Sequence, residues 1–224
     1  MARAGTARSR GSDPACTLYG SQGSGSAAVE MALRRCGWPY RVVRASSWED
    51  DSAQSELAAL NPLGQIPTLV LPDGAVLTES AAILIHLGLV EPGAGLLPTR
   101  PAPRAQAIRG LVFIAANCYA ALSVADYPER WTTATSSAAR EKVRAAARAR
   151  LHRHWAIFAD TFEARPWFCG ARRPGALEFL AVVVSRWSGA RAYLSRARPV
   201  LHETLLRIEG HPSVAPVLQA HWPA

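Results

Sequence analysis

Residues 61–87, NPLGQIPTLVLPDGAVLTESAAILIHL, form the stretch that decides the fold. The apolar run 66–71, the Pro-Asp-Gly turn at 72–74 and the short run 75–77 predict a β-hairpin. Residues 80–89 follow directly and have the apolar content of a buried helix. Together these elements predict one edge of a small sheet with a helix packed on its face.

The residues before this stretch alternate between strand and helix. A short strand at 16–19 ends in the Gly/Ser-rich turn 20–25, and the helix that follows is stopped by Gly37. A second strand is predicted at 40–44 and a second, shorter helix at 51–60. The resulting order, βαβ-α-ββα, predicts a small mixed sheet with helices on its faces.

The residues after this stretch contain no strand pattern. A Pro/Gly-rich connector covers 91–104, and a capping pair, Gly175 and Glu178, precedes one of the later helices. Helices are predicted at 104–125, 137–164, 178–192, about 198–209 and from Ser213 onward. The pattern predicts an all-α second half.

We therefore divide the chain into four parts. The composition shift and the proline-rich connector set the main boundary. The parts are a disordered leader (1–14), an α/β domain (15–90), a linker (91–101) and an all-helical domain (102–224).

The composition excludes several classes of protein. The chain has 224 residues, 49% of them hydrophobic, which suits a sizeable core and is too apolar for a mostly disordered protein. No stretch approaches about 18 uninterrupted apolar residues, so we expect no membrane span. The four cysteines lie far apart without a Cys-x-x-Cys pair. We therefore expect neither a dithiol redox site nor a cysteine-rich zinc site.

The net charge of +8 suggests a nucleic acid as a partner, but its distribution argues against one. Residues 1–90 hold 7 Arg against 8 acidic residues, and residues 91–224 hold 18 basic against 9 acidic residues. All the basic residues except Lys142 are Arg, and no basic run carries interleaved aromatic residues. We expect no nucleic-acid partner.

The turn at 21–26 places Ser24 and Ser26 where a helix begins. Free N–H groups and the positive end of the helix dipole favour an anion at such a point. A serine hydroxyl there could donate to a thiolate, whose thiol otherwise has a pKa of about 8.5. Taken alone, the turn is more typical of a simple helix cap.

The two ends of the hairpin carry the other polar signals. Pro67 predicts a rigid turn, and a cis bond there would leave the N–H and C=O of Ile66 free to pair with a bound peptide. Glu79 and Ser80 begin a helix and suit the ammonium and carboxylate of an α-amino acid group. An ordinary edge-strand proline and an ordinary capping pair are the alternatives at these two positions.

In order and spacing, residues 61–87 closely resemble the glutathione-binding segment of cytosolic glutathione transferases. The resemblance covers the chain from about Cys16 to its end and implies a thioredoxin-like domain followed by an all-α domain. It implies that Ile66, before a cis Pro67, binds the cysteinyl part of glutathione. Glu79 and Ser80 would hold the γ-glutamyl end. Gln65 would contact the glycyl or the cysteinyl part, and Trp48 lies near where some members bind the glycine carboxylate.

The resemblance leaves the residue that activates the thiol open. Aligned with Ser-type members, Ser24 falls at or beside the catalytic serine, and with Tyr-type members Tyr19 falls on the catalytic tyrosine. Members with an active-site cysteine have it where this chain has Gly25, which argues against thiol-transfer chemistry. We favour Ser24, with Tyr19 and Ser26 as rivals.

The resemblance also implies a partner for glutathione and an assembly. A small hydrophobic electrophile would lie on the helix at 104–125, against Asn117 and Tyr119, with Phe113 and Trp131 as further candidates. His152 and His154 lack a third ligand, so no metal is expected. The implied protein is a cytoplasmic homodimer that conjugates glutathione, and the alternative is a non-catalytic binding or scaffold protein of the same fold. No membrane partner is implied.

Overall fold

A computed structural model describes residues 15–223, and the predicted leader at 1–14 lies outside them. The first half has the predicted order, βαβ-α-ββα. Its elements are β1 (Cys16–Gly20), α1 (Ser26–Cys36), β2 (Tyr40–Arg44), α2 (Gln54–Leu60), β3 (Thr68–Val70), β4 (Val76–Leu77) and α3 (Ser80–Val90).

The four strands form one mixed sheet in the order β2-β1-β3-β4. β1 pairs parallel with β2 and antiparallel with β3, which puts Leu18 opposite Leu69 at the centre of the sheet. Successive side chains of a strand point to opposite faces. Leu18 accordingly joins the large core formed with α1 and α3, while Tyr19 packs with Leu57 of α2 on the other face.

The second half is helical. Its elements are α4 (Pro101–Phe113), a π-helical segment (Ile114–Tyr119), α5 (Ala120–Asp126), α6 (Ser137–Thr161), α7 (Ala176–Val184), α8 (Ala190–Ala197), α9 (Pro199–Glu209) and α10 (Ala215–His221). We call Ile114–Tyr119 the π-segment. The predicted fold class, a thioredoxin-like α/β unit followed by an all-α unit, is confirmed.

Helix α7 joins the two halves. Every residue from Ala176 to Val184 is buried, and the helix packs against α1 and α3 as well as against α4 and α9. Its start shows the predicted capping pair, because both oxygens of Glu178 accept backbone N–H groups, from Gly175 at 2.8 Å and from Phe168 at 2.6 Å. Burial raises the pKa of this carboxyl to about 7.

The cap of α7 is a glycine for a steric reason. A Cβ at residue 175 would lie 2.6 Å from the carbonyl oxygen of Leu96, which belongs to the connector between the halves. A serine or threonine, the usual residues at a helix start, would not fit against that carbonyl. The connector and α7 therefore pack backbone to backbone.

The structure differs from the sequence prediction in two helices. The predicted helix at 178–192 is two helices, because Ser188 (φ 52°) and Gly189 (φ 74°) adopt left-handed backbone conformations between them. The predicted helix at 104–125 contains the π-segment, which the apolar spacing did not reveal. Both irregularities bring residues to the cleft described below.

Within the described part of the chain, the helical stretch 101–126 is long and apolar enough to cross a membrane by length and composition alone. In the fold, α4 packs on α7 and α5 packs on α6. Both parts of the stretch therefore pack against other helices of the helical half.

Candidate active site

A cleft of about 650 Å³ lies between the two halves, within the size range of small-molecule sites. One wall, the sheet wall, comes from the first half and the other, the helical wall, from the second. The sheet wall consists of Gly23–Gly25, Ala45, Ser47, Trp48, Asn61, Leu63–Pro67, Glu79 and Ser80. The helical wall consists of Ala115, Tyr119, Leu122, Ser123, Asp126, Tyr127, Arg130 and Trp187.

The loop before β3 presents backbone groups to the cleft. The Ile66–Pro67 bond is cis, and no hydrogen bond within residues 15–223 engages the N–H or C=O of Ile66. The preceding carbonyl, of Gln65, accepts from Asn61 Nδ2 at 3.0 Å and from Thr68 Oγ1 at 2.9 Å. Asn61 is buried and fixes the loop, a role that the sequence did not single out.

Glu79 and Ser80 lie where β4 passes into α3. Glu79 has a left-handed backbone (φ 63°), and its carbonyl accepts the N–H of Ile83 in the first turn of the helix. In the described residues, neither side chain has a hydrogen-bond partner, and both residues line the cleft. A carboxylate therefore lies beside the N-terminal end of a helix, an arrangement that offers one site for a cation and one for an anion.

Ser24 lines the cleft and is held in the turn before α1. Its Oγ accepts the N–H of Ser21 at 3.3 Å and the N–H of Ser26 at 3.2 Å, and it lies 2.9 Å from Ser26 Oγ. Ser26 is fully buried, does not line the cleft, and donates to the carbonyl of Ser21 at 3.3 Å. Of the two serines, the structure brings only Ser24 to the cleft.

Tyr19 does not reach the cleft. Its side chain is buried with Ala45 and Leu57 on the α2 side of the sheet, and its hydroxyl donates to Glu56. Burial and this hydrogen bond raise the pKa of the phenol. The contacts are those of a core tyrosine beneath α2.

The turn before α1 is also tied to the loop after β2. Glu49 accepts hydrogen bonds from Ser21 Oγ at 2.6 Å and Ser46 Oγ at 2.5 Å, and it pairs with Arg44 at 2.8 Å. These hydrogen bonds, the one from Ser21 first, lower the pKa of Glu49 to about 2. Because the loop carries Ser47 and Trp48 at the cleft edge, Glu49 links two parts of the sheet wall.

The residues predicted on the long helix separate into two groups. Tyr119 lines the cleft, whereas Asn117 does not: its side chain donates to the carbonyl of Phe113 at 3.1 Å. Phe113 packs on Phe158 and other core rings, and Trp131 is exposed outside the cleft. The structure thus brings one of these four residues to the site.

Several residues of the helical wall were not predicted. Trp187 lies in the break between α7 and α8, and its ring centre is 6.0 Å from that of Tyr119. Asp126, Tyr127 and Arg130 follow α5, where the guanidinium of Arg130 lies 4.1 Å from the Tyr127 ring centre. Burial raises the pKa of Asp126. Helical spacing alone does not indicate these positions, because they lie at or beyond helix ends.

The two histidines on α6 contact backbone carbonyls. His152 Nε2 contacts the carbonyl of Ser188 at 3.1 Å, and His154 Nδ1 contacts the carbonyl of Asn117 at 2.9 Å. Within residues 15–223, no three side chains of His, Cys, Asp or Glu cluster as metal ligands. The four cysteines, all inside this range, are free.

The fold and the cleft define a two-domain protein whose ligand site lies between a thioredoxin-like sheet and a helical bundle. The family model "Glutathione S-transferase, N-terminal domain" matches residues 26–89. The probable glutathione S-transferase BZ2 of Zea mays is 31% identical over an alignment of 209 positions, which covers 86% of this chain and 85% of that protein. The chain belongs to the cytosolic glutathione S-transferase family.

Two further similarities concern proteins of bacteria. The uncharacterized GST-like protein YncG of Escherichia coli K12 is 39% identical over 115 residues, so the match spans 51% of this chain and 56% of that protein. A sphingomonad glutathione S-transferase solved in complex with glutathione is 25% identical, with a TM-score of 0.73, and the match covers 93% of this chain and 100% of that chain. The shared fold therefore extends over both halves of the chain.

Proposed function

We propose that this protein is a glutathione transferase that joins the sulfur of glutathione to a hydrophobic electrophile. One observation carries the proposal: the sheet wall collects the free backbone groups of Ile66, the Glu79–Ser80 pair and the N-terminal end of α1 in a single cleft. These groups match in kind the cysteinyl backbone, the amino acid end and the thiol of glutathione.

Glutathione would lie along the sheet wall. The carboxylate of Glu79 binds the ammonium of the γ-glutamyl group, while Ser80 and the N-terminal end of α3 bind its carboxylate. The N–H and C=O of Ile66 pair with the cysteinyl residue as a neighbouring strand would. The side chains of Gln65 and Trp48 border the glycyl end.

The thiol would then lie at the N-terminal end of α1, beside Ser24. The helix dipole and a hydroxyl donor stabilise the thiolate, so the thiol proton leaves for bulk water at a lower pH than in free glutathione. The thiolate forms a carbon–sulfur bond with the electrophile, and the leaving group departs with the electrons of the bond that breaks. Positioning and electrostatic stabilisation carry the catalysis.

The helical wall would hold the electrophile. Leu122 and Trp187 supply apolar surface there, next to Tyr119. This placement keeps the electrophile on the side of the thiol away from Glu79. A homodimer in the cytoplasm stays a prediction from the family resemblance.

A non-catalytic glutathione-binding protein is the second candidate, and the hydroxyl network of the α1 turn favours it. Ser24 Oγ already receives two N–H groups and lies 2.9 Å from Ser26 Oγ, so the hydroxyls satisfy one another. Position 25 supplies no side chain. In such a protein, glutathione would bind without turnover.

The two candidates are separated by measuring glutathione affinity and conjugation of an activated aryl halide by the same preparation. We expect binding, turnover, and a bound thiol whose pKa is below its value in free glutathione, read from the ultraviolet absorbance of the thiolate. Ser24→Ala should raise that pKa, and Ser195→Ala, a serine outside the cleft whose hydroxyl donates to the carbonyl of Ala192, is the control. Failure of the wild type to bind glutathione would contradict the proposal, and binding without turnover across several electrophiles would support the second candidate.

A further inference from the structure

The backbone at residue 25 has no room for a side chain, although it borders the cleft. A Cβ built on Gly25 would overlap the hydroxyl oxygen of Tyr119, and it would lie 3.5 Å from Tyr119 Cζ and 3.7 Å from Pro67 Cδ. The phenol oxygen of Tyr119 therefore occupies the space that a side chain at residue 25 would take, at the start of α1 and next to the cis proline.

The hydroxyl of Tyr119 has no partner in the described residues. The hydrogen bonds at this end of the cleft connect Ser21, Ser24 and Ser26 with one another, and none of them reaches Tyr119. The ring is packed against Trp187. A polar group that is fixed by packing and lines a cleft without a partner is available to a ligand.

The π-segment sets the direction of this side chain. A π-helical turn contains an additional residue, so the residues after it are rotated about the helix axis relative to a regular α-helix. Two contacts hold the irregular turn: the side chain of Asn117 donates to the carbonyl of Phe113, and His154 contacts the carbonyl of Asn117. Tyr119 is the last residue of the segment and points at Gly25.

We propose that the Tyr119 hydroxyl, which the helical half places over Gly25, donates a second hydrogen bond to the glutathione thiolate, in addition to that of Ser24. This inference rests on the proposed function and changes the role of Tyr119 from a contact of the electrophile to a catalytic residue at the sulfur. The thiol proton goes to bulk water, and the phenol keeps its own. Burial raises the pKa of Tyr119, so the phenol remains a donor at neutral pH.

The test measures the pKa of the bound thiol and two affinities, for glutathione and for S-methylglutathione, which has no thiol proton. Tyr119→Phe should raise the thiol pKa by about one pH unit or more. The variant loses a hydrogen bond to the charged thiolate, and such a bond is roughly twice as strong as one between neutral groups. Its affinity for S-methylglutathione should equal that of the wild type. Tyr193→Phe, a tyrosine outside the cleft that stacks on His152, is the matched control.

A second pair of variants distinguishes the steric effect of a side chain at residue 25 from the loss of the Tyr119 hydroxyl. Gly25→Ala should weaken binding of both ligands about tenfold, because its Cβ displaces the phenol from a packed site. The double variant Gly25→Ala/Tyr119→Phe removes the overlapping oxygen, so it should recover the affinity for S-methylglutathione but not the low thiol pKa. Thermal unfolding checks that each variant is folded.

The outcomes separate this inference from the function on which it rests. If Tyr119→Phe binds glutathione with an unchanged thiol pKa, the inference is wrong and the proposed function stands. If the double variant binds S-methylglutathione no better than Gly25→Ala, the claimed overlap is wrong. A wild type that does not bind glutathione overturns the proposed function itself.

Discussion

The two walls of the cleft are built in different ways. The sheet wall presents backbone groups and helix ends: the N–H and C=O of Ile66, the start of α3 after Glu79, and the turn before α1. The helical wall presents side chains, among them Tyr119, Leu122 and Trp187. A backbone site depends on local turn chemistry, whereas a side-chain site depends on the rotation of helices and on where they break.

This difference assigns the two parts of the proposed reaction. Backbone groups and a carboxylate recognise one fixed peptide, so the sheet wall suits the common substrate, glutathione. Side chains can be exchanged without disturbing a fold, so the helical wall suits the variable electrophile. Tyr119 would be the one point at which the helical wall acts on glutathione itself.

The largest effect should come from removing the charge on the sheet wall. Glu79→Ala should weaken glutathione binding about 10- to 100-fold, because a hydrogen bond to a charged group contributes roughly 1.5–3 kcal/mol. Isothermal titration measures the affinity. Asp73→Asn, in the exposed turn between β3 and β4, is the charge-matched control. An unchanged affinity of Glu79→Ala for glutathione would contradict a γ-glutamyl site on the sheet wall.

The next effect concerns α7, on which both walls depend. Glu178→Gln should lower the free energy of unfolding by about 1–3 kcal/mol. The side-chain NH₂ of glutamine would face one of the two buried backbone N–H groups, which would then have no acceptor. Chemical denaturation measures the difference, with exposed Glu203→Gln as the control. Equal stability of Glu178→Gln and wild type at pH 5 would mean that these two hydrogen bonds do not hold the start of α7.

The stability difference between these two proteins should also depend on pH. Burial raises the pKa of Glu178 from 4.5 to about 7 in the folded protein, so the folded state binds a proton that the unfolded state releases. The difference in the free energy of unfolding between the wild type and Glu178→Gln should therefore decrease as the pH rises from about 5 through about 7. Denaturation curves at several pH values would show this difference becoming smaller. A difference that grows with pH would contradict the raised pKa of Glu178.

A smaller effect should come from the apolar part of the helical wall. Leu122→Ala should raise the KM for a hydrophobic electrophile about 5- to 20-fold, since buried apolar contacts of this size contribute about 1–2 kcal/mol. Glutathione affinity should not change. Leu111→Ala removes the same buried side chain outside the cleft and should leave both constants unaltered. A loss of glutathione affinity in Leu122→Ala would contradict the separation of the two walls.

The smallest effect should come from the π-segment. Asn117→Ala removes the hydrogen bond to the carbonyl of Phe113, and the thiol pKa should rise by a few tenths of a pH unit, about a twofold change in thiolate. Ultraviolet titration of bound glutathione measures it, with surface Gln106→Ala as the control. A larger change than in Tyr119→Phe would mean that Asn117 acts on the cleft by another route.

The sequence was informative where the structure is local. The hairpin, the cis Pro67, the capping pair of α7 and the element order could be predicted, because each depends on residues close together in the chain. The break before Gly189 and the π-segment could not, since tertiary packing decides them. Tyr19 and Tyr119 illustrate the limit. The two-residue period of a strand puts Tyr19 beneath α2, and an irregular helical turn puts the hydroxyl of Tyr119 next to Gly25.

The domain boundaries and the roles of Ser24, Gln65, Ile66, Glu79 and Ser80 stay predictions, although the structure places all five of these residues at one cleft. Asn61 and Glu49 were missed because they act on the loops that hold other residues. Their signal in the sequence is only that of turn-forming polar residues.

The most direct test is a crystal structure of the protein with bound glutathione. We predict the γ-glutamyl group at Glu79 and Ser80, the cysteinyl backbone paired with Ile66, and the sulfur about 3.0–3.5 Å from the hydroxyl of Tyr119, at the start of α1. A sulfur that lies outside hydrogen-bond reach of both Tyr119 and Ser24, or a glutathione bound anywhere other than along the sheet wall, would contradict it.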